Sequence, residues 1–250
     1  RGLGDVYKRQ HAYAPDLKAG DINEVRRLIE KYEMPVLGYT PEHNAYPYNY
    51  MIGSEAQRRD AIDYLKLSLE MAKEMGAEFV LTSPANGGYL ATYDQLWSRL
   101  EKNIQELGDY AAKLEIKLVV EALTPYESNF FTRANDLVEL FRRVDNPYVV
   151  GMCDIVPPFV QHESIMAYFD KLGNKMDHMH IIDGENGSDT HLIPGEGNIP
   201  IKEMLYEMKR IGYDKTATLE LVTNYINEPR FYAKRAIDNM RELMAEAGIV

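Results

Sequence analysis

Four apolar runs in this sequence each end in a side chain that can carry chemistry. These residues are a glutamate, an aspartate, a histidine and a second glutamate: Glu121, Asp154, His180 and Glu220. Their spacings are 33, 26 and 40 residues, and each interval has room for a loop, a helix and the next strand. The pattern therefore predicts successive βα units, with a polar side chain at the C-terminal end of each strand.

The C-terminal ends of parallel strands converge on one face of a barrel, so these four side chains would become neighbours. Three unpaired carboxylates would repel one another and would be costly to bury. A divalent cation neutralises them and accepts both oxygen and nitrogen ligands. We therefore predict a metal site, although each residue taken alone fits an ordinary polar position at a strand end. The sequence does not choose among Mn²⁺, Co²⁺, Mg²⁺, Ni²⁺ and Zn²⁺.

A metal held in this way leaves positions for two oxygens of a sugar or hydroxyketone. It would polarise the carbonyl group and stabilise the enediolate that forms when the neighbouring carbon loses its proton. Glu121 and Glu220 are the candidates for transferring protons on opposite faces of that carbon. Transfer on both faces gives an epimerase, whereas one group serving two adjacent carbons gives an aldose–ketose isomerase. The residues leave both reactions open.

Composition and charge restrict the class of protein. The 250 residues fit one barrel-sized domain, and no change of composition divides them. The formal charge of −11 argues against a nucleic-acid partner. The single cysteine, Cys153, excludes an internal disulfide, and neither a signal-peptide pattern nor an apolar run of about 18 residues is found. We therefore expect a cytoplasmic enzyme without a membrane partner.

Strand and helix patterns alternate along most of the chain. The apolar strands are nearly continuous, which is typical of a parallel sheet covered by helices. Strands are predicted at 34–39, 78–82, 116–122, 148–155, 177–182 and 217–222. Helices are predicted at 21–33, 54–75, 92–114, 132–144, 162–172, 200–211 and 228–246. The starts of two helices carry capping boxes, at 54–57 and 92–95.

This pattern begins with a helix and contains two strands fewer than a closed eight-stranded barrel. Residues 1–10 show neither strand alternation nor helical periodicity, so we predict that they are irregular and form a non-native junction. A single catalytic barrel domain is then expected over residues 11–250. The first strand, helix and second strand of that barrel are expected to be missing.

Further polar residues are expected near the same face. Glu127 could orient a substrate hydroxyl, or it could be a surface acid. His178 and His180 point to the same side of one strand, and His180 is nearer the strand end, so His180 is the predicted ligand and His178 the deeper group. The acidic, glycine-rich segment 183–197 is predicted to be a flexible lid for a cationic or polyhydroxyl ligand, with a solvated loop as the alternative.

Several motifs carry a resemblance to a known family. They are Glu121-Ala-Leu-Thr-Pro-Tyr-Glu127, Gly151-Met-Cys-Asp154, His178-Met-His180, Pro194-Gly-Glu-Gly197 and Leu219-Glu220-Leu221. Together they resemble the sugar isomerase and epimerase superfamily that shares the xylose isomerase type of barrel. Within that superfamily the chain looks most like the 3-epimerases of amine-substituted ketoses.

The resemblance implies a (β/α)8 TIM barrel of the xylose isomerase-like type and a sugar-amine as the small-molecule substrate. It implies that Glu121, Asp154, His180 and Glu220 bind the metal. Glu121 and Glu220 would also exchange the proton at C3 of the ketose, and Glu127 would hold the substrate near C1. A homo-oligomer is compatible with the resemblance, and the sequence gives no oligomeric state.

One departure from the family concerns the substrate. Related ketose 3-epimerases carry a histidine three residues after the metal-binding aspartate and an arginine in the loop before Pro-Gly. Pro157 and His191 occupy those positions here. A substituted ketose is therefore favoured over a free one, and His191 is the candidate substrate-binding residue of this loop.

Competing functions remain on the same fold. A phosphodiester hydrolase resembling the barrel endonucleases that use several zinc ions would need more than the six histidines present, and a basic face. A sugar-binding barrel without turnover would not need the matched pair Glu121 and Glu220. A 3-epimerase or isomerase of another ketose, and an inactive barrel fragment, are the remaining alternatives.

Overall fold

The computed structural model describes residues 7–10 (main chain), 13–45, 47–185, 187–222 and 225–249. Within these ranges seven strands follow one another in one sheet in sequential order. They are β1 (Tyr7–Gln10), β2 (Val36–Thr40), β3 (Phe79–Thr82), β4 (Lys117–Val120), β5 (Val149–Asp154), β6 (Met176–Ile181) and β7 (Thr216–Leu219). The pairs β1–β2, β2–β3, β3–β4, β4–β5 and β6–β7 are parallel. Sequential parallel order is the arrangement of consecutive βα units.

Helices fill the intervals between these strands. They are α1 (Ala14–Asp16), α2 (Ile22–Tyr32), α3 (Glu55–Glu74), α4 (Tyr93–Leu114), α5 (Ala134–Arg143), α6 (Val156–Val160), α7 (Met166–Leu172), α8 (Ile201–Ile211) and α9 (Pro229–Glu246). A π-helical turn joins α1 to α2, and a 3₁₀ turn follows α7. The predicted helix–strand alternation from 21 to 246 is confirmed, with shifts of at most four residues at the element ends.

Both predicted capping boxes are present. The Ser54 hydroxyl accepts a hydrogen bond from Gln57 N at 3.3 Å, and Gln57 Oε1 accepts one from Ser54 N at 2.8 Å. Thr92 and Gln95 make the same reciprocal pair at the start of α4. These bonds satisfy main-chain N–H groups that the first helical turn leaves without a partner, so they fix where α3 and α4 begin.

The prediction that residues 1–10 are irregular is wrong for residues 7–10. These residues form β1, and Lys8, Arg9 and Gln10 pair in parallel with Gly38, Tyr39 and Thr40 of β2. The strand was missed because Tyr-Lys-Arg-Gln lacks the apolar pattern by which the other strands were found, whereas main-chain pairing with β2 does not require that pattern. Residues 1–6, 11 and 12 lie outside the described ranges, and a non-native junction stays a prediction.

The chain divides into two compact units, Leu3–Gly151 and Met152–Val250. We call them the N-terminal and the C-terminal unit. The boundary falls inside β5, and a single domain over 11–250 stays a prediction. In the N-terminal unit, Gly38 of β2 lies against the Phe79 ring of β3 so closely that a Cβ atom would be 2.3 Å from it. A side chain at position 38 would therefore push β2 away from the Phe79 ring.

The C-terminal unit contains the end of β5, β6, β7 and helices α6 to α9. Strands β6 and β7 are in a register that places His178 beside Thr216 and His180 beside Thr218. Helix α6, Val-Pro-Pro-Phe-Val, was not predicted, because two consecutive prolines argue against a helix except in its first turn, where they lie here. In the part of the chain that the structure describes, no helix has both the length and the apolar character needed to cross a bilayer.

Candidate metal centre

Three of the four predicted ligands come together in the C-terminal unit. Asp154 is the last residue of β5, His180 lies in β6, and Glu220 directly follows β7. His180 Nδ1 is 2.8 Å from Glu220 Oε2 and 3.9 Å from Asp154 Oδ2. All three side chains are buried, and each offers one ligand atom within 4.8 Å of the others. Parallel strands place these ends side by side, as the spacing predicted.

Helix α6 orients the aspartate of this group. Asp154 Oδ1 accepts a hydrogen bond of 2.8 Å from the main-chain N–H of Val156, at the start of α6. Its other oxygen, Oδ2, faces His180 and His191. Hydrogen bonds of this kind fix a carboxylate for coordination, so the short helix has a direct role in shaping the site.

The two histidines of β6 have different surroundings. His178 Nδ1 is 2.8 Å from the hydroxyl of Thr216, and its Nε2 is 3.1 Å from the hydroxyl of Thr218. The rings of His178 and His180 are perpendicular, with centroids 5.5 Å apart. Both nitrogens of His178 thus have hydroxyl partners on β7, whereas Nδ1 of His180 faces the two carboxylates.

The loop after β6 brings a second histidine to the same carboxylates. His191 Nε2 is 3.7 Å from Glu220 Oε2 and 3.9 Å from Asp154 Oδ2, and its Nδ1 is 3.2 Å from Asp189 Oδ1. The main chain of His191 has a φ of +44°, in the left-handed region that few residues other than glycine adopt. Such conformations cost free energy and persist only where the surrounding structure holds them. They cluster at functional sites.

Electrostatics at His191 reflect the negative charge of this group. Burial by itself lowers the pKa of the His191 ring, because it disfavours the charged form. The nearby carboxylates of Asp189 and Glu220, together with the charge of Asp154, outweigh burial and raise this pKa to about 11. The site therefore favours a positive charge beside its carboxylates.

The donor set of the C-terminal unit fits a divalent cation. One imidazole nitrogen and two carboxylate oxygens are buried at mutual distances compatible with a shared ion. Imidazole suits zinc, nickel and related transition metals, whereas carboxylate oxygens suit magnesium and manganese. The mixed set is thus compatible with each of the five ions that the sequence left open.

The other two predicted site residues lie in the N-terminal unit. Glu121 directly follows β4, is buried, and donates its main-chain N–H to Thr82 O at 3.0 Å. Glu127 lies in the turn after it, where its Oε2 accepts hydrogen bonds from the hydroxyl of Thr124 at 2.9 Å and from Thr124 N at 3.3 Å. These bonds close the turn and hold the Glu127 carboxylate in place.

One functional neighbour was missed from the sequence. Asp189 was grouped with the acidic lid, but in the structure it contacts the ring of His191. The spacing Asp189-Thr-His191 is a short-range signal, although acid and histidine two residues apart occur in many loops. The backbone at His191 is in the left-handed conformation, which the sequence does not indicate.

A parallel βα fold with buried acids and an imidazole at its strand ends is the architecture of one known family. Residues 5–243 match the family described as xylose isomerase-like TIM barrel, and the chain belongs to it. The predicted fold class, a TIM barrel of the xylose isomerase-like type, is confirmed. The accompanying expectation that the strand before the helix at 21–33 is missing is wrong, because β1 lies there and pairs with β2.

Individual relatives point to sugar epimerases. Fructoselysine 3-epimerase of Shigella flexneri is 48% identical over 238 residues, which cover 95% of this chain and 86% of that protein. Two solved structures show the same fold. A D-tagatose 3-epimerase-like protein matches with a TM-score of 0.81 at 20% identity, over 98% of this chain and 90% of its own. The IOLI protein with a binding zinc atom matches with a TM-score of 0.77 at 18% identity, over 97% and 87%.

Proposed function

We propose that this protein is a metal-dependent ketose 3-epimerase that interconverts fructoselysine and its C3 epimer, psicoselysine. One observation carries the proposal: a chain 48% identical to a fructoselysine 3-epimerase buries Asp154, His180 and Glu220 around one point. Buried acids grouped in this way are costly for stability, so a functional role accounts for them better than a structural one.

Glu121 is the proposed fourth ligand. It directly follows β4, as Glu220 directly follows β7, and β4 is the neighbour of β5 in the sheet. The register pairs Val120 with Gly151, so Glu121 comes one residue beyond the last described pair of these strands. The C-terminal ends of parallel strands lie on one face, which is the position expected of a ligand.

The proposed chemistry is a proton transfer between two carboxylates and C3 of the ketose. When bound, a divalent ion supplies Lewis-acid polarisation of the substrate oxygens. Glu121 and Glu220 move the proton: one carboxylate removes it from C3 on one face, and the other returns a proton on the opposite face. The substrate passes through a cis-enediolate between these transfers, and C3 is inverted.

Substrate binding is assigned to His191 and Glu127. The Nε2 atom of His191 faces the oxygens of Glu220 and Asp154, while Asp189 contacts its Nδ1 and keeps the ring in this orientation. A ring held on one side can hydrogen-bond a substrate hydroxyl on the other. Glu127 is assigned to hold the substrate near C1, and its bonds with Thr124 support this role by fixing the carboxylate.

The decisive experiment is hydrogen exchange at C3. The metal-loaded protein is incubated in deuterium oxide with fructoselysine or fructose, and proton NMR follows the C3 signal. We expect loss of the C3 proton and formation of the C3 epimer, faster with fructoselysine. Exchange at C1 with formation of an aldose would indicate an isomerase instead. Exchange with fructose but not with fructoselysine would indicate another ketose as substrate. Absence of exchange with every ketose would refute the proposal.

A further inference from the structure

Asp183 has an unusual set of partners for an aspartate that was predicted to lie in an acidic lid. Its side chain is 1% exposed. Oδ1 accepts hydrogen bonds from the main-chain N–H groups of Gly184 (2.8 Å) and Ile199 (2.9 Å), and Oδ2 accepts from those of Gly195 and Gly197 (both 2.9 Å). The carboxylate is thus the centre of the loop between β6 and α8. For Asp183, both the predicted role in a ligand-facing lid and the alternative of a solvated loop are wrong, because the carboxylate is buried and bonded to the main chain.

The main chain of Asp183 holds the other limb of the same loop. Asp183 N donates to Leu192 O at 2.7 Å, and Leu192 N donates to Asp183 O at 2.6 Å. Leu192 directly follows His191. Asp183 therefore holds residues 195–199 of the loop through its side chain, and it holds Leu192, next to His191, through its main chain.

The loop packs closely against the carboxylate at Gly197. A Cβ atom at Gly197 would lie 2.5 Å from both Asp183 Oδ1 and Gly184 O. The hydroxyl of Tyr225 accepts a bond of 3.0 Å from Ile193 N, and Asn239 Nδ2 donates one of 2.9 Å to Pro194 O. These contacts hold the segment after His191 against the rest of the C-terminal unit.

We propose that Asp183 is the positioning residue of His191. This inference rests on the proposed function, in which His191 binds the substrate. Asp183 contacts the loop, and it acts by fixing the strained backbone at His191 so that Nε2 faces Glu220 and Asp154. A carboxylate is required because each of its two oxygens accepts two N–H donors. An asparagine would turn an NH₂ group toward two of these donors, whichever way its amide lies.

Two variants disturb this arrangement by different routes. Asp183→Asn removes one acceptor oxygen, whereas Gly197→Ala keeps the carboxylate and adds a clashing methyl group. Each has a matched control. Asp136→Asn alters a carboxylate that accepts two main-chain N–H bonds at the start of α5, and Gly184→Ala adds a methyl group whose nearest neighbour is 3.6 Å away.

The first measurement uses the metal-free protein and needs no catalysis. Native-state hydrogen exchange is followed at the amides of Leu192, Gly195, position 197 and Ile199. We expect exchange at least about 10-fold faster than in the unaltered protein in Asp183→Asn and Gly197→Ala, and unchanged exchange at these amides in both controls. Unchanged exchange in the two test variants would overturn the anchoring role. If Asp183→Asn does not fold, Gly197→Ala decides the question.

The second measurement asks whether Asp183 acts through His191. C3 exchange with fructoselysine is compared in the original and the His191→Ala backgrounds. Misplacement of a binding group by about 1 Å can cost up to about 100-fold, so we expect Asp183→Asn to lower kcat/KM by about 10- to 100-fold in the original background. In the His191→Ala background we expect a loss under about twofold. Equal losses in both backgrounds would refute the assignment. If the unaltered protein exchanges no ketose proton, the proposed function fails. The amide-exchange measurement then tests by itself whether Asp183 anchors the loop.

Discussion

Carboxylates serve opposite purposes in the two units. In the N-terminal unit, Glu106 on α4 lies 2.8 Å from Arg59 Nη1 and 2.6 Å from Lys66 Nζ, both on α3. The hydrogen bonds from Arg59 and Lys66 lower the pKa of Glu106 to about 2. In the C-terminal unit, Asp154 and Glu220 both lie beside the imidazole rings of His180 and His191.

The different partners of these carboxylates indicate different roles, because Glu106 contributes to stability whereas Asp154 and Glu220 are expected to serve function. Glu106 is compensated by fixed positive charges at a partly exposed position, where an ion pair contributes about 0 to 1 kcal/mol. Asp154 and Glu220 are buried with compensation that depends on a protonated ring or a bound cation. A group that would be unfavourable without a ligand is expected at a functional site, and the following predictions test this distinction.

The largest expected effect is that of Glu220→Gln. An amide oxygen can still coordinate a metal but cannot exchange a proton, so C3 exchange should fall by about 10² to 10⁴-fold while metal binding is only weakened. Proton NMR in deuterium oxide measures the rate, and elemental analysis measures the metal content. Glu106→Gln is the matched control and should keep the original rate. Full activity in Glu220→Gln would refute the mechanism in which Glu121 and Glu220 both transfer protons.

The second prediction compares the two histidines of β6. His180→Ala removes a proposed ligand, so metal content after dialysis should fall well below that of the unaltered protein. His178→Ala removes a ring that is bonded to Thr216 and Thr218, and it should reduce metal affinity less, by at most about 10- to 100-fold. Elemental analysis at equal protein concentration gives the ranking. The reverse ranking would make His178 the ligand.

A smaller effect is expected from the acidic tip of the loop after β6. Asp183 is occupied by the main chain, Asp189 by His191 and Glu196 by an ion pair with Arg235. This leaves Glu185 as the exposed acid of the loop that could attract the ammonium group of a sugar-amine. Glu185→Gln should raise KM for fructoselysine by about two- to fivefold, and KM for fructose less, since an exposed charge pair contributes about 1 kcal/mol or less. Glu242→Gln, on α9, is the control. Equal changes for both sugars would exclude ammonium recognition by Glu185.

The smallest expected effect is that of Glu106→Gln on the free energy of unfolding. Glu106→Gln should lower the free energy of unfolding at pH 7 by less than about 1 kcal/mol. Because the folded-state pKa of about 2 is below the ordinary value of 4.5, the contribution of Glu106 is present above pH 4.5 and is lost as the pH falls toward 2. Urea unfolding at pH 7 and near pH 2.5 should therefore show a difference that shrinks in acid. A constant difference would mean that the ion pairs do not contribute.

Local patterns in the sequence determined most of the architecture. The alternation of elements from 21 to 246 follows from apolar periodicity, and the starts of α3 and α4 follow from capping boxes whose partners are three residues apart. The positions of Asp154, His180 and Glu220 near strand ends could also be predicted, because parallel strands of similar length bring their C-terminal ends to one face.

Tertiary structure alone decided the roles of particular side chains. His178 is held by hydroxyls 38 and 40 residues away, and the carboxylate of Asp183 is held by N–H groups up to 16 residues away. Strand β1 was missed because Tyr-Lys-Arg-Gln carries no apolar pattern, and its pairing with β2 is visible only in the folded chain. Periodicity records which face of an element is buried, whereas a hydrogen-bond partner distant in sequence is chosen only when the folded chain brings donor and acceptor within about 3 Å.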